Sequence, residues 1–149
     1  MRPLRLVLVA AAALLVAACS SGAGATGSPS SPPTASPAST RIEVTLSDDF
    51  TIEPASMTVP AGVPVTFVVS NAGAIVHEFL VGDEAAQAEH EQEMLAGGMG
   101  HDEPNGIAVD PGQTKELTVT FEEPGETLAG CHEAGHYAAG MKAPITVSG

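Results

Sequence analysis

Three side chains that bind soft metal ions lie five residues apart near the end of the sequence. They are Cys131, His136 and Met141, in the run Gly-Cys-His-Glu-Ala-Gly-His-Tyr-Ala-Ala-Gly-Met. A thiolate, an imidazole and a weak axial thioether suit a copper ion that cycles between its two oxidation states. Such a site needs a second imidazole, and His77, in a hydrophobic segment with the pattern of a strand, is the best candidate. The sequence therefore predicts one copper ion bound by these four side chains.

Some of these residues also have an ordinary explanation. His77 on its own could be a half-buried strand histidine, and Met141 could belong to the hydrophobic core. His132, which follows the cysteine directly, is expected to be exposed and not a ligand, because the chain has no His-x-His pair of the kind that trinuclear copper clusters use. The prediction therefore depends on the four candidate ligands occurring together.

The elements that position these residues are predicted to be strands. Apolar and polar residues alternate from residue 42 to 46, and similar or more apolar runs cover residues 63–69, 75–81, 115–121 and 143–147. Alternation with a period of two is typical of half-buried strands. Turns rich in glycine and proline separate the runs. About seven short strands of this kind indicate an all-β protein, an antiparallel β-sandwich.

One segment, residues 83–103, departs from the strand pattern. It contains seven acidic residues and no lysine or arginine. Residues 84–95 are predicted to form an inserted helix that Asp83 caps, and glycines at 97, 98 and 100 end it.

The inserted segment also carries further metal-binding side chains. They are two histidines and two methionines: His90, Met94, Met99 and His101. One hypothesis is that these residues bind an additional copper ion transiently, because imidazole suits Cu(II) and thioether suits Cu(I). The other is that the insertion is an acidic, solvated surface in which they have no special role.

The start of the chain has the pattern of a bacterial lipoprotein signal. Two arginines precede an apolar stretch, residues 6–18, which is shorter than the roughly 20 residues that span a bilayer. Small residues come directly before Cys19, which predicts cleavage there and lipid on the cysteine. The alternative is an ordinary secretory signal cleaved nearby. Either way we expect the protein to be exported. The lipoprotein pattern predicts that residues 1–18 are the signal peptide and that lipid anchors the protein at the extracytoplasmic face of the cell membrane.

The segment after the predicted cleavage site is expected to be a linker. Residues 20–40 consist only of Ser, Gly, Ala, Thr and Pro, a composition that cannot form a packed core. We therefore assign residues 19–40 to a lipidated, disordered linker and residues 41–149 to one folded domain. Lipid on Cys19 would leave Cys131 without a disulfide partner, which favours metal ligation, whereas a Cys19–Cys131 disulfide is the rival hypothesis.

The charge of the predicted domain is strongly negative. All 18 acidic residues lie in residues 41–149, together with three basic residues, so the net charge is 3 − 18 = −15. Such a surface repels nucleic acid and anionic lipid, and it attracts a basic protein partner. The alternative is that the charge only keeps an exported protein soluble.

The ligand pattern and its surroundings resemble the cupredoxins of the plastocyanin, azurin and auracyanin group. The resemblance covers residues 41–148: His77 follows a strand and Asn71, and the other three ligand types lie on one loop near the end of the chain. Turn motifs at residues 60–62, 111–112 and 124–125 also agree with the family. The resemblance implies a Greek-key β-sandwich with one type 1, or blue, copper ion. It also implies an exposed edge of His136 amid small apolar residues, and a possible linking role for Asn71, which could instead be only a turn residue.

The resemblance also implies the function. We expect a monomeric electron carrier that passes single electrons between extracytoplasmic redox partners, such as a cytochrome or an oxidase. No catalytic triad or carboxylate pair stands out, so we do not expect an enzyme. The second hypothesis is capture, buffering or delivery of copper at the cell surface. A third is a non-redox accessory domain for metal uptake.

Overall fold

The structure, a computed structural model, describes residues 39–149. The predicted signal peptide, Cys19 and nearly all of the predicted linker lie outside the described residues. The described part contains nine strands and one helix, whose bounds are β1 (Thr40–Ser47), β2 (Thr51–Glu53), β3 (Met57–Pro60), β4 (Pro64–Asn71), β5 (His77–Gly82), α1 (Glu84–Leu95), β6 (Gly106–Val109), β7 (Thr114–Thr120), β8 (Gly125–Gly130) and β9 (Lys142–Ser148).

The nine strands form two sheets. One has the strand order β2-β1-β4-β7, and the other has the order β3-β9-β8-β5-β6. The prediction of an all-β sandwich is confirmed. Five of the strand pairs are antiparallel, as expected, whereas β1 pairs with β4 and β3 pairs with β9 in parallel. Alternation within a strand does not depend on the direction of its neighbour, so the sequence pattern is the same for both kinds of pair.

The hydrophobic core lies between the two sheets. Phe67 of β4 and Phe79 of β5 are fully buried there, and their ring centroids are 5.2 Å apart. On β1 only alternate residues are buried, including Val44 and Leu46. By contrast, the first five residues of β5 are all buried. One face of β5 meets the core and α1 packs against this strand, which accounts for the continuous burial.

The inserted helix has the bounds that the sequence predicts. Asp83 caps it, since its Oδ1 accepts a hydrogen bond from the backbone nitrogen of Ala86 at 2.9 Å. Gly97, with a φ of +97°, follows the last turn, a conformation that glycine adopts without strain. The buried residues of the helix are polar, Gln87 and His90. No helix within residues 39–149 has the length and apolar character needed to cross a membrane.

Candidate metal centre

Two neighbouring parts of the second sheet bring the predicted ligands together. His77 is the first residue of β5, and Cys131 directly follows β8, which pairs with β5. His136 and Met141 lie on the loop between β8 and β9. Two backbone hydrogen bonds, each 3.1 Å long, close this loop: Cys131 donates to the carbonyl of Met141, and Met141 donates to the carbonyl of His136. Residues ten positions apart in the chain are thereby held side by side.

The thiol of Cys131 lies between two imidazole nitrogens. Its Sγ is 3.3 Å from Nδ1 of His136 and 3.8 Å from Nδ1 of His77. The backbone nitrogen of Glu78 donates to the same sulfur at 3.2 Å. All three donor side chains are buried, and so is Met141. Two imidazoles and one thiolate that converge in this way form a candidate type 1 copper site.

A carboxylate orients His77. Oδ1 of Asp48 is 3.1 Å from Nε2 of His77, so Nε2 carries the proton and Nδ1 presents its lone pair toward Cys131. The hydrogen bond from the backbone of Ala74 is the main cause that lowers the pKa of Asp48, and the bond to His77 lowers it further. Histidine ligands of metal ions commonly donate their other N–H to a carboxylate. The sequence analysis did not predict Asp48, because it lies 29 residues before His77.

His136 is a neutral imidazole beside an exposed aromatic ring. Burial is the main cause that lowers its pKa, and the neighbouring imidazole of His77 lowers it further. The ring of Phe50 is 4.7 Å from the ring of His136, and Phe50 remains 38% exposed. Phe50 has a φ of +58°, which is uncommon for a residue other than glycine. His136 itself is only 7% exposed, and the exposed residues around it include Ala134, Ala138 and Ala139.

Cys131 is a free, buried thiol in this part of the chain. Burial raises its pKa to about 12, although hydrogen bonds from the backbone of Glu78 and Glu133 oppose the shift. A thiol in this environment keeps its proton unless a cation replaces it. Metal ions bind the thiolate and release that proton. The donor set therefore fits a soft metal ion such as copper.

Asn71 supports the loop that leads to His77. Its Nδ2 donates to the carbonyls of Ile75 and Val109, both at 2.8 Å, and its Oδ1 accepts from the backbone of Gly73. These bonds connect the end of β4, the loop before His77 and β6. Asn71 thus both shapes a turn and links two strands near the site.

The prediction that His132 is exposed is wrong. His132 is 2% exposed and forms two hydrogen bonds of 2.6 Å, one with Oε1 of Gln87 and one with Oε2 of Glu91. The imidazole ring of His132 also stacks on the ring of Tyr137, with 4.4 Å between ring centroids. Both hydrogen-bond partners lie on α1. The helix packs over His132, and this contact between distant segments has no signal in the local sequence.

Two of the four side chains that the sequence groups as a second copper site, His90 and His101, lie near each other, with 6.3 Å between their ring centroids. His90 is buried, whereas Met99 is 82% exposed. The close polar neighbours of His90 are carboxylates, and the nearest oxygen of Glu103 is 3.2 Å away. A binding role for Met94 and Met99 stays a prediction.

A β-sandwich that brings two histidines and a cysteine together beneath its loops defines a class of copper-binding proteins, and the comparisons with known proteins identify the family. Residues 7–141 match the Cupredoxin-like domain. The chain therefore belongs to the cupredoxin family. Copper is the cofactor that this family and this donor set support.

Individual relatives and solved structures agree with this assignment. The chain is 36% identical over 172 aligned positions to the copper-resistant cuproprotein CopI of Pseudomonas aeruginosa, covering 91% of this chain and 94% of that protein. It is 36% identical to the protein of the same name from Rubrivivax gelatinosus, covering 78% of this chain and 71% of that protein. Reduced auracyanin from Roseiflexus castenholzii is similar in structure, with a TM-score of 0.66 and 27% identity over 74% of this chain and 98% of that one.

Proposed function

We propose that this protein captures and buffers copper outside the cytoplasm and so protects the cell from excess copper. The observation that carries this proposal is the similarity to copper-resistant cuproproteins over nearly the whole chain. The sequence alone favours electron transfer over copper handling. The relatives favour the opposite order.

In this proposal His77, Cys131 and His136 bind one copper ion, and Met141 is the weak axial ligand. The convergence of three donors on one point supports the first three, and the burial of Met141 between two backbone hydrogen bonds supports the fourth. Bound copper supplies one-electron chemistry. The chain orients the imidazoles, donates the Glu78 N–H to the thiolate sulfur and excludes water from the site.

This function can be tested by expressing the protein in a copper-sensitive bacterial host and measuring growth at increasing copper concentrations. We expect the parent protein to raise the copper concentration at which the host grows and Cys131→Ser to lose that protection. Thr118→Ser, a conservative change at an exposed strand position, is the control and should protect as the parent does. Equal protection by Cys131→Ser would contradict a role of the thiolate site in resistance.

We also propose that the protein is exported and attached to the cell membrane by lipid on Cys19, with residues 20–40 as its linker. The support is the sequence pattern around Cys19. Cys19→Ser should move the protein from the membrane fraction to the soluble fraction. A protein that stays in the membrane fraction after this change would argue for a different anchor.

Electron transfer is the second candidate function, and one feature favours it. Exposed apolar residues near His136 include Phe50, whose ring lies 4.7 Å from that of His136, and Ala138 and Ala139 of the loop between β8 and β9. Such a surface suits docking of a redox partner, a cytochrome or an oxidase, with this protein as a monomer that performs no catalysis of its own. The apolar surface also suits electron exchange between two copies.

The electron-transfer candidate is tested by the rate of electron self-exchange. We expect Ala138→Glu to slow self-exchange, because two like charges would then meet at the docking surface. Ala88→Glu adds the same charge at an exposed position of α1 and serves as the matched control. Equal rates for the two variants would exclude docking through Ala138.

A further inference from the structure

A second group of imidazole and carboxylate side chains lies where α1 packs near β5. Its members include His90 and Glu93 of α1 and Glu103 of the segment that follows the helix. One ligand atom from each of these three lies within 4.8 Å of the others. A cavity of about 290 Å³, lined in part by the same three residues, opens beside them. The group therefore has both the donor atoms and the space for an ion.

The hydrogen bonds of His90 leave one ring nitrogen free. Its Nε2 is 3.3 Å from Oε1 of Glu78, and a carboxylate accepts, so the proton of the neutral ring is on Nε2. Nδ1 then carries a lone pair. That nitrogen lies 3.2 Å from Oε1 of Glu103 and 3.8 Å from Oε2 of Glu93. At metal sites, a histidine commonly donates one ring N–H to a carboxylate and binds the ion through its other ring nitrogen.

His101 presents a second ring nitrogen to the same oxygen. Its Nδ1 donates to the carbonyl of Met99 at 3.0 Å, and this bond, together with the nearby carboxylates, raises the pKa of His101. Nε2 lies 3.3 Å from Oε1 of Glu103. This oxygen has no hydrogen-bond partner among residues 39–149. Two imidazole nitrogens thus face one carboxylate oxygen, and a metal ion that displaces the ring protons can bind all three.

Glu78 gives an independent indication of missing positive charge. It is 3% exposed, and within the described chain its Oε2 has no hydrogen-bond partner. Burial of a carboxylate is costly unless it is paired and fully hydrogen-bonded. Glu78, Glu93 and Glu103 together bring three carboxylates to His90. These carboxylates need positive charge nearby, and a divalent ion can supply it.

We propose that His90, Glu93, His101 and Glu103 bind a divalent transition-metal ion, and that Glu78 orients His90. Imidazole and carboxylate donors suit Zn(II) and Cu(II), whereas Cu(I) prefers thiolate and thioether. His101 and Glu93 are largely exposed, so their side chains are free to close around the ion. The proposed site keeps the two histidines of the sequence-based hypothesis, but its other two ligands are carboxylates and not methionines.

The second site is coupled to the first through Glu78. Its side chain contacts His90, while its backbone nitrogen donates to Sγ of Cys131. The carboxylate of Glu78 thus belongs to the residue whose N–H contacts the sulfur, so its negative charge lies close to the type 1 site. A cation near Glu78 offsets this charge and favours Cu(I) over Cu(II). The coupling, which rests on the proposed type 1 site, predicts a higher reduction potential when the second site is filled.

The test is calorimetric titration with Zn(II), a probe without redox chemistry, of the full-length protein carrying one copper ion. We expect the parent to bind one further ion. Glu93→Gln combined with Glu103→Gln should weaken that binding by at least about tenfold. Glu84→Gln, which removes one negative charge at the other end of α1, should bind as the parent does. A second titration with Cu(II), followed by paramagnetic resonance, distinguishes the two metals by the appearance of a second copper signal.

Two results would overturn the proposal. One is a parent protein that takes up neither metal beyond its first copper, in which case protons on the histidines balance the carboxylates. The other is a double variant that binds Zn(II) as tightly as the parent. The visible thiolate band reports the first site separately, so its persistence would distinguish failure of the second site from failure of the type 1 assignment. If Zn(II) binds but does not change the reduction potential of the copper in the first site, the coupling through Glu78 is wrong.

Discussion

Asp48 fixes the tautomer of His77 through one hydrogen bond to Nε2. We predict that Asp48→Asn weakens copper binding by about 10 to 100-fold, because the amide no longer favours the ring with its proton on Nε2. Competition titration against a chelator measures the loss. Asp49→Asn is the matched control at the next residue, which is exposed, and it should change little. Similar losses in both variants would argue for a general effect of surface charge.

The metal-free Cys131 thiol is expected to be almost unreactive. A pKa of about 12 leaves on the order of a thousandfold less thiolate at pH 8 than in an unfolded chain with an ordinary thiol. Alkylation of the folded, metal-free protein should therefore be slower by at least that order of magnitude. Its rate should rise about tenfold per pH unit up to pH 12. Mass spectrometry after timed iodoacetamide treatment measures it, and a rate equal to that of the unfolded chain would contradict the shifted pKa.

At the scale of elements, the helix α1 is attached by polar contacts. Gln87, which is 1% exposed, donates to the carbonyls of Leu80 and Leu128 at 3.1 and 3.2 Å and also bonds to His132. The helix thus connects β5, β8 and the ligand loop. A helix held in this way depends on a few specific hydrogen bonds and not on a broad apolar face.

We predict that Gln87→Ala lowers the free energy of unfolding by roughly 2 to 3 kcal/mol, since it leaves buried carbonyls and an imidazole without partners. Gln92→Ala is the matched control on the exposed side of the same helix and should cost much less. Chemical denaturation of both variants gives the comparison. If the two losses are equal, Gln87 does not hold the helix.

Local patterns predicted some elements and could not predict others. The bounds of α1 follow from Asp83 and Gly97, which act on the nearest turn of chain. Asp48 and Phe50 contact the site from a turn far away in sequence, so no spacing pattern marks them. His132, which the sequence predicts to be exposed, is buried because α1 folds over it. The short strands β2, β3 and β6 likewise depend on their neighbours for most of their hydrogen bonds.

At the scale of the whole molecule, the candidate ligands come from β5 and from the loop between β8 and β9. Unfolding separates His77 from the other three. A metal ion bound to all of them therefore stabilises the folded protein and not the unfolded chain.

We predict that copper removal lowers the midpoint of thermal unfolding on the order of 10 °C. Free copper at 100 times its dissociation constant contributes about 2.7 kcal/mol, and a domain of this size shifts by about 4 °C per kcal/mol. Calorimetric scans with and without copper measure the difference. In the Cys131→Ser variant, copper should change the midpoint of thermal unfolding very little. A shift as large as that of the parent would argue for stabilisation by copper bound elsewhere.

The position of His77 and Glu78 at the start of β5 has a consequence for changes in chain length. Consecutive residues of a strand point to opposite faces, so one peptide unit separates a ligand of the type 1 site from the carboxylate that faces the second group. An insertion of one residue within β5 shifts its register and exchanges the two faces. Both sites would be lost together. Insertions in the loop at residues 72–76 leave that register intact, so natural length variation at this edge of the sheet is expected to fall there.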